Sequence, residues 1–142
     1  MDSITAFAAI GLTAVSWDET LTRAGIRSFR HALDYREPYC SMCENDIILL
    51  MDAILALRLE RGNKKLMLDA AKILTADQSL TAYAMASELM RSDGPYTAEE
   101  RRRLDVLALM LSISQPESKR IDEVFELLHA PVHSNQSIKT PA

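Results

Sequence analysis

The chain has little of what most folds use to turn, staple or span. Four glycines and five prolines in 142 residues are few for an all-β protein, which needs a turn signal about every 8–12 residues. Only two cysteines are present, and a secreted disulfide scaffold of this size would carry more. A basic excess is missing. The net charge is −4, which argues against a general nucleic-acid binder and its basic face. The start, Met1-Asp2-Ser3-Ile4, has neither the basic stretch nor the small-residue cleavage site of a signal peptide. The longest apolar run, Ile47 to Leu59, is interrupted by Asp52 and Arg58 and is shorter than the ~20 residues of a membrane span. There is no Gly-rich phosphate loop, no G-x-S-x-G elbow and no H-E-x-x-H. These absences lead us to expect a cytoplasmic protein with no membrane span, no nucleic-acid partner and no legible catalytic set.

What is present is helical periodicity. The length suits one domain with a real core. A first helix starts at Asp2 or Ser3 and carries Ile4, Phe7, Ala8, Ile10, Leu12 and Val15, apolar over most of its surface and so expected to be buried. Trp17-Asp18-Glu19 ends it. A second helix places Leu21, Gly25, Phe29, Ala32 and Leu33 on one stripe and Arg23, Arg27 and Arg30 on a solvated one. Pro38 marks a loop over 35–45. Asn45 or Asp46 then starts a helix ended near Gly62. Ten of the eleven residues from Ile47 to Leu57 are apolar, which makes it the expected central helix. Asn63 is the expected cap of a shorter helix through Leu74. Thr75 with Gln78, Thr97 with Glu100, and Ser114 with Glu117 read as capping boxes for three more, the last with Pro116 near its first position. Setting Asp18 against Asp93, an offset of 75, aligns two apolar helices that each end in an Asp turn before another helix. Thr22 then meets Thr97, but Glu99 and Glu100 fall opposite Ala24 and Gly25.

One stretch combines turn chemistry, capping and clustered acid: Ser92-Asp93-Gly94-Pro95-Tyr96-Thr97-Ala98-Glu99-Glu100. Asp-Gly makes the turn, Thr97 and Glu100 close a box, and acid near a helix start complements the macrodipole. Those roles are purely structural. The alternative is a hard-cation site, because Ca²⁺ and Mg²⁺ take carboxylate and carbonyl oxygens. The spacing is not that of an EF-hand. Cys40 and Cys43 form a C-x-x-C ahead of a helix whose amides could favour a thiolate. They lack the βαβ context of a thioredoxin-like pair and the four ligands of a zinc site, so packed or idle thiols are the simpler reading, with His31 the nearest further ligand. Asp52, inside the most apolar helix, is expected to be buried against one of Arg23, Arg27 or Arg30. His129 and His133 have helical metal-pair spacing, but Pro131 between them ends the helix. The run Arg101-Arg102-Arg103 is answered by Glu99 and Glu100 as a solvated helix start.

The stretch from Ala84 through Ser87-Glu88-Leu89-Met90-Arg91-Ser92-Asp93-Gly94, then Glu99-Glu100 and Leu104 through Ile113, resembles a TerB-like domain, the family of a tellurite-resistance protein. The likeness covers about residues 79–128 and is weaker over 4–33. It implies an all-helical domain of two related halves and a role in the response to tellurite or similar stress. It also implies acidic residues proposed to bind metal, which fall on Asp93 and Glu100, with Glu99 as neighbour, and on Asp18 in the first half.

Together these readings predict an all-α, single-domain bundle of about seven helices over 1–130, with two degenerate halves implied by the resemblance, and a disordered polar tail over 131–142. The expected function is a non-enzymatic TerB-like stress-response protein. It would act as an interaction module for a protein partner, or as a homo-oligomer. The metal expectation is a divalent ion, Ca²⁺, Mg²⁺, Mn²⁺ or Zn²⁺, at Asp93, Glu99, Glu100 and Asp18. The alternatives are C-x-x-C redox or enzyme activity, and a ligand-free homo-oligomeric scaffold.

Overall fold

A computed structural model describes residues 1–91 and 94–133. Among the described residues the chain forms seven α-helices, one 3-10 turn and no strand. In order they are α1 (Ser3–Val15), α2 (Arg23–Asp34), the 3-10 turn Tyr39–Ser41, α3 (Glu44–Arg61), α4 (Asn63–Ile73), α5 (Ala76–Arg91), α6 (Ala98–Met110) and α7 (Gln115–Leu128). The all-helical bundle is as the periodicity predicts. Of the expected polar tail, 134–142 lie outside the described residues.

Helix starts sit where side-chain acceptors could satisfy the first free amides. The Asp2 carboxylate accepts from Thr5 N at 2.8 Å. Thr75 and Gln78 exchange bonds of 2.9 and 3.2 Å. Thr97 and Glu100 do the same at 3.0 and 3.1 Å. Ser114 Oγ accepts from Glu117 N, but Glu117 bonds back to the Ser114 hydroxyl rather than its amide. Gly62 closes α3 with φ of +81°, a left-handed conformation that glycine adopts at little steric cost.

The central element is α1, not α3. Nine of its thirteen residues are buried, Ala6 through Ala14, and it packs against α2, α3, α4 and α5. Small side chains explain the position. Ala6, Ala8, Ala9, Gly11 and Ala14 let neighbouring helices approach on several sides. The two hydroxyls buried with them bond inward to the helix, Thr13 to Ala9 O at 2.8 Å and Ser16 to Leu12 O at 2.7 Å. Only Ile47 and Ile54 of α3 are buried. Leu49 is 66% exposed and Leu59 85%, so α3 lies on the outside of the bundle. The apolar run from Ile47 to Leu57 suggested a central helix, but α3 as a whole carries Glu44, Asp46, Asp52, Arg58, Glu60 and Arg61, whereas α1 has no charged residue.

Asn63 corrects a second expectation. Its side chain does not cap α4. It is buried, donates to the Ser16 carbonyl, and accepts from Arg58 Nε at 2.8 Å. Arg58 also donates to Glu19 O at 2.8 Å. Three chain segments, the ends of α1 and α3 and the start of α4, are tied by this buried polar chain.

The offset of 75 also matches helix boundaries. It carries α2 onto α6 and Thr22 onto Thr97, and both threonines are N-caps. Thr22 Oγ1 accepts from Gly25 N at 3.0 Å, the counterpart of the Glu100 amide. The first half keeps the cap and lacks the reciprocal carboxylate. The offset carries 44–61 of α3 to 119–136, which meets α7 over 119–128 only, and both helices turn apolar residues to solvent: Val124, Leu127 and Leu128 on α7.

Gly11 is the tightest point of this packing. A Cβ there would stand 2.8 Å from the Phe29 ring and 2.9 Å from Met85 Cε. Met85 can swing its end, but the fully buried Phe29 ring has little room. Gly11→Ala should therefore lower stability by about 1–3 kcal/mol despite alanine's better helix propensity. Urea unfolding should show a lower midpoint at unchanged slope. An unchanged or higher midpoint would contradict this account of the core.

Candidate functional site

The acidic turn joins α5 to α6. Asp93 lies outside the described residues. Glu99 Oε2 accepts from Arg102 at 2.8 Å, and its Oε1 lies 3.5 Å from Arg103 Nε. Glu100 closes the capping box through the Thr97 amide. Glu100 also lines a cleft of about 180 Å³ with Thr22, Gly25, Leu89 and Arg103. That cleft sets Glu100 beside the start of α2. Asp18 is exposed in the α1–α2 connection, where its carboxylate accepts from Thr20 N at 3.1 Å, and it does not line the cleft. Both glutamates thus have protein partners. Among the described residues no three His, Cys, Asp or Glu side chains stand close enough to share a metal ion.

Behind the turn lies a cluster that the sequence did not disclose. The Tyr96 ring is flanked by two guanidinium groups, Arg91 and Arg101, each with its carbon 5.2 Å from the ring centroid. Tyr96 OH donates to Ser87 O at 2.9 Å. Arg101 pairs with Asp122 at 3.2 Å, and Asp122 accepts from Tyr83 OH at 2.9 Å. Arg91, buried, reaches Glu126 at 3.0 Å. Helices α5, α6 and α7 and the segment after the turn are locked by these contacts. Arg101 and Arg103 accordingly depart from the solvated face expected of the arginine run, Arg103 half-buried in the cleft, while Arg102 keeps to it. The only sequence signal was the presence of Tyr83, Tyr96, Asp122 and Glu126 at positions whose meeting depends on the α6–α7 turn.

Burial pushes the Tyr83 hydroxyl well above the usual tyrosine range, and Asp122 beside it adds to the rise. Burial does the same for Tyr96, again with Asp122, and for Tyr39, whose hydroxyl donates to Ile4 O.

The remaining expected sites separate. Cys40 and Cys43 are free and exposed. Cys40 donates to Glu37 at 3.1 Å, and that bond to a carboxylate holds its thiol above the ordinary range. A reactive thiolate needs the opposite. Cys43 sits at the N-cap of α3 with no side-chain capping bond. His129 is the C-cap of α7, stacked on Phe125, and His133 lies beyond the helix end. Asp52 is exposed, not buried, and has no arginine partner among the described residues. It stands on the outward face of α3 with Ile48, Leu49, Ala53, Ala56 and Leu59, all exposed. This face is the largest departure from expectation, because a helix that is apolar all round belongs inside.

Compared with family models, curated proteins and solved structures, the chain matches none.

The raised tyrosines set an alkaline limit. A tyrosine held protonated in the fold and free to ionise at about 10 when unfolded contributes stability that is fully present below about pH 10. That stability is lost as pH climbs through the folded value. Thermal midpoints should therefore fall above about pH 10, and the fall should be shallower for Tyr39→Phe or Tyr83→Phe than for the unaltered chain. Equal slopes would show that these hydroxyls are not held neutral by the fold.

Proposed function

We propose that the protein is a non-enzymatic, TerB-like stress-response protein that acts as an interaction module and docks a protein partner on the outward face of α3. The observation that carries this is the exposure of Leu49 and Leu59, 66% and 85%, on one face with Ile48, Ala53 and Ala56. Apolar patches of a few hundred Å² on soluble domains mark contact sites. The TerB-like likeness supplies the context of tellurite or similar stress. It rests on the residues around Asp93, Gly94, Glu99 and Glu100. The redox alternative is the weaker one, since Cys40 is tied to Glu37 as a protonated thiol.

The proposal includes the acidic turn as a weak divalent-cation site at most. A cation there must draw Glu99 away from Arg102 and Arg103 and open the box that Glu100 closes.

Two experiments test these readings. A photo-crosslinking residue at position 59 in the native host should capture a protein, and capture should be lost in Leu49→Glu at unchanged helix content. Because both leucines face solvent, the change should cost under about 0.5 kcal/mol. Capture that is indifferent to Leu49 would end the docking assignment. For the turn, Ca²⁺, Mg²⁺, Mn²⁺ and Zn²⁺ should raise the thermal midpoint of the unaltered chain by mass action and not that of Asp93→Asn, Glu100→Gln. Equal response of the two proteins would remove the cation from the turn.

A further inference from the structure

We infer that the occupant of the α3 face is a second copy of this chain, laid antiparallel on its own α3. This rests on reading that face as a docking surface and goes further by naming the partner.

The face carries a leucine toward each end. Leu49 and Leu59 stand at its two ends, ten residues and about 15 Å apart at 1.5 Å per residue. Between them are Ala53 and Ala56, small enough to let two helices come close, with Asp52 at their side. A two-fold axis near residue 54, perpendicular to the helix, places Leu49 of each copy against Leu59 of the other and brings the alanines together at the crossing. One self-complementary patch then forms both halves of the contact, as a two-fold dimer requires.

Charge selects the antiparallel direction. The start of α3 is acidic, with Glu44 and Asp46 in its first turn. Its end and the turn after Gly62 are basic on balance, with Arg58, Arg61, Lys64 and Lys65 against the one exposed carboxylate of Glu60. Within one copy Glu44 is taken by Arg30, and Arg61 and Lys65 by Asp69. Asp46 and Lys64 are exposed and have no partner among the described residues. The antiparallel arrangement sets Asp46 of each copy near Lys64 of the other. A parallel arrangement would stack Asp46 on Asp46 and Asp52 on Asp52. The helix dipoles also favour antiparallel neighbours.

Area sets the strength. The two faces together would remove on the order of 1,000 Å² from water, the low end for a specific interface. The result is a reversible dimer and not an obligate one. Asp52 weakens it further, since the two copies' carboxylates lie within about 6 Å of each other along the axis, four residues of helix rise.

Sedimentation velocity of the full chain tests the inference. The mass should rise with concentration from the 15.9 kDa monomer to twice that value. Leu59→Glu should weaken association on the order of tenfold or more, with far-ultraviolet dichroism unchanged. Leu127→Glu, on the exposed face of α7, should leave it as it was. Asp52→Asn should tighten it severalfold. Asp46→Lys and Lys64→Glu should each weaken association, and the two together should restore it. A monomer at every concentration overturns the inference, and so does a dimer that survives Leu59→Glu. Failure of the charge exchange to restore association overturns the antiparallel register. A monomeric chain whose position 59 still captures a different protein in the host would remove the second copy and leave α3 as a docking face.

Discussion

The close approach of helices around Gly11 is the constraint from which the rest of the bundle follows. With a hydrogen in place of a side chain there, the Phe29 ring of α2 and the end of Met85 on α5 both reach the backbone of α1. Those contacts put α1 between the two halves of the chain and leave α4 to close another side of it. Interiors are packed like organic crystals, so a helix of Ala and Gly in the middle sets the spacing of every helix around it. Larger apolar helices then go where there is room, which is outward.

The exposed apolar face of α3 is a consequence of that arrangement. Its inner side supplies Ile47 and Ile54 to the core, with Leu50, Met51, Leu55 and Leu57 partly covered. Among the described residues the outer side is exposed. The polar chain through Arg58, Asn63 and Ser16 holds this geometry, because it fixes the end of α3 to the end of α1. A helix pinned there cannot roll its Leu59 side inward. Burying polar groups this way is tolerable only because each has a partner.

A second polar cluster does the same at the other end of the molecule. Tyr96 between Arg91 and Arg101, with Asp122 and Tyr83 beneath, ties α7 to α5 and α6. This cluster stands directly beside the segment that leads into α6. The acidic turn's two described carboxylates, Glu99 and Glu100, are held by Arg102, Arg103 and Thr97. This sets the acidic turn and the α3 face apart. The two described carboxylates have partners within the chain, whereas the outer face of α3 is exposed.

Local physics was legible before any fold was known. Caps at Asp2, Thr75, Thr97 and Ser114, the stop at Gly62, and the pairing of Thr22 with Thr97 follow from side chains acting within a few residues of themselves. The all-helical class follows from periodicity of the same short range. Tertiary structure decided what depends on residues far apart. Asn63 reads as a cap until Ser16 is found beside it, and Arg101 reads as solvated until Asp122 arrives from α7. Asp52 and the apolar residues around it read as core until α1 occupies the centre. Sequence by itself determined where helices begin and end, because those choices are made by hydrogen bonds across three or four positions. Only the tertiary structure decided which apolar face is covered, because that is settled by side-chain volume and the limited space around one small-residue helix.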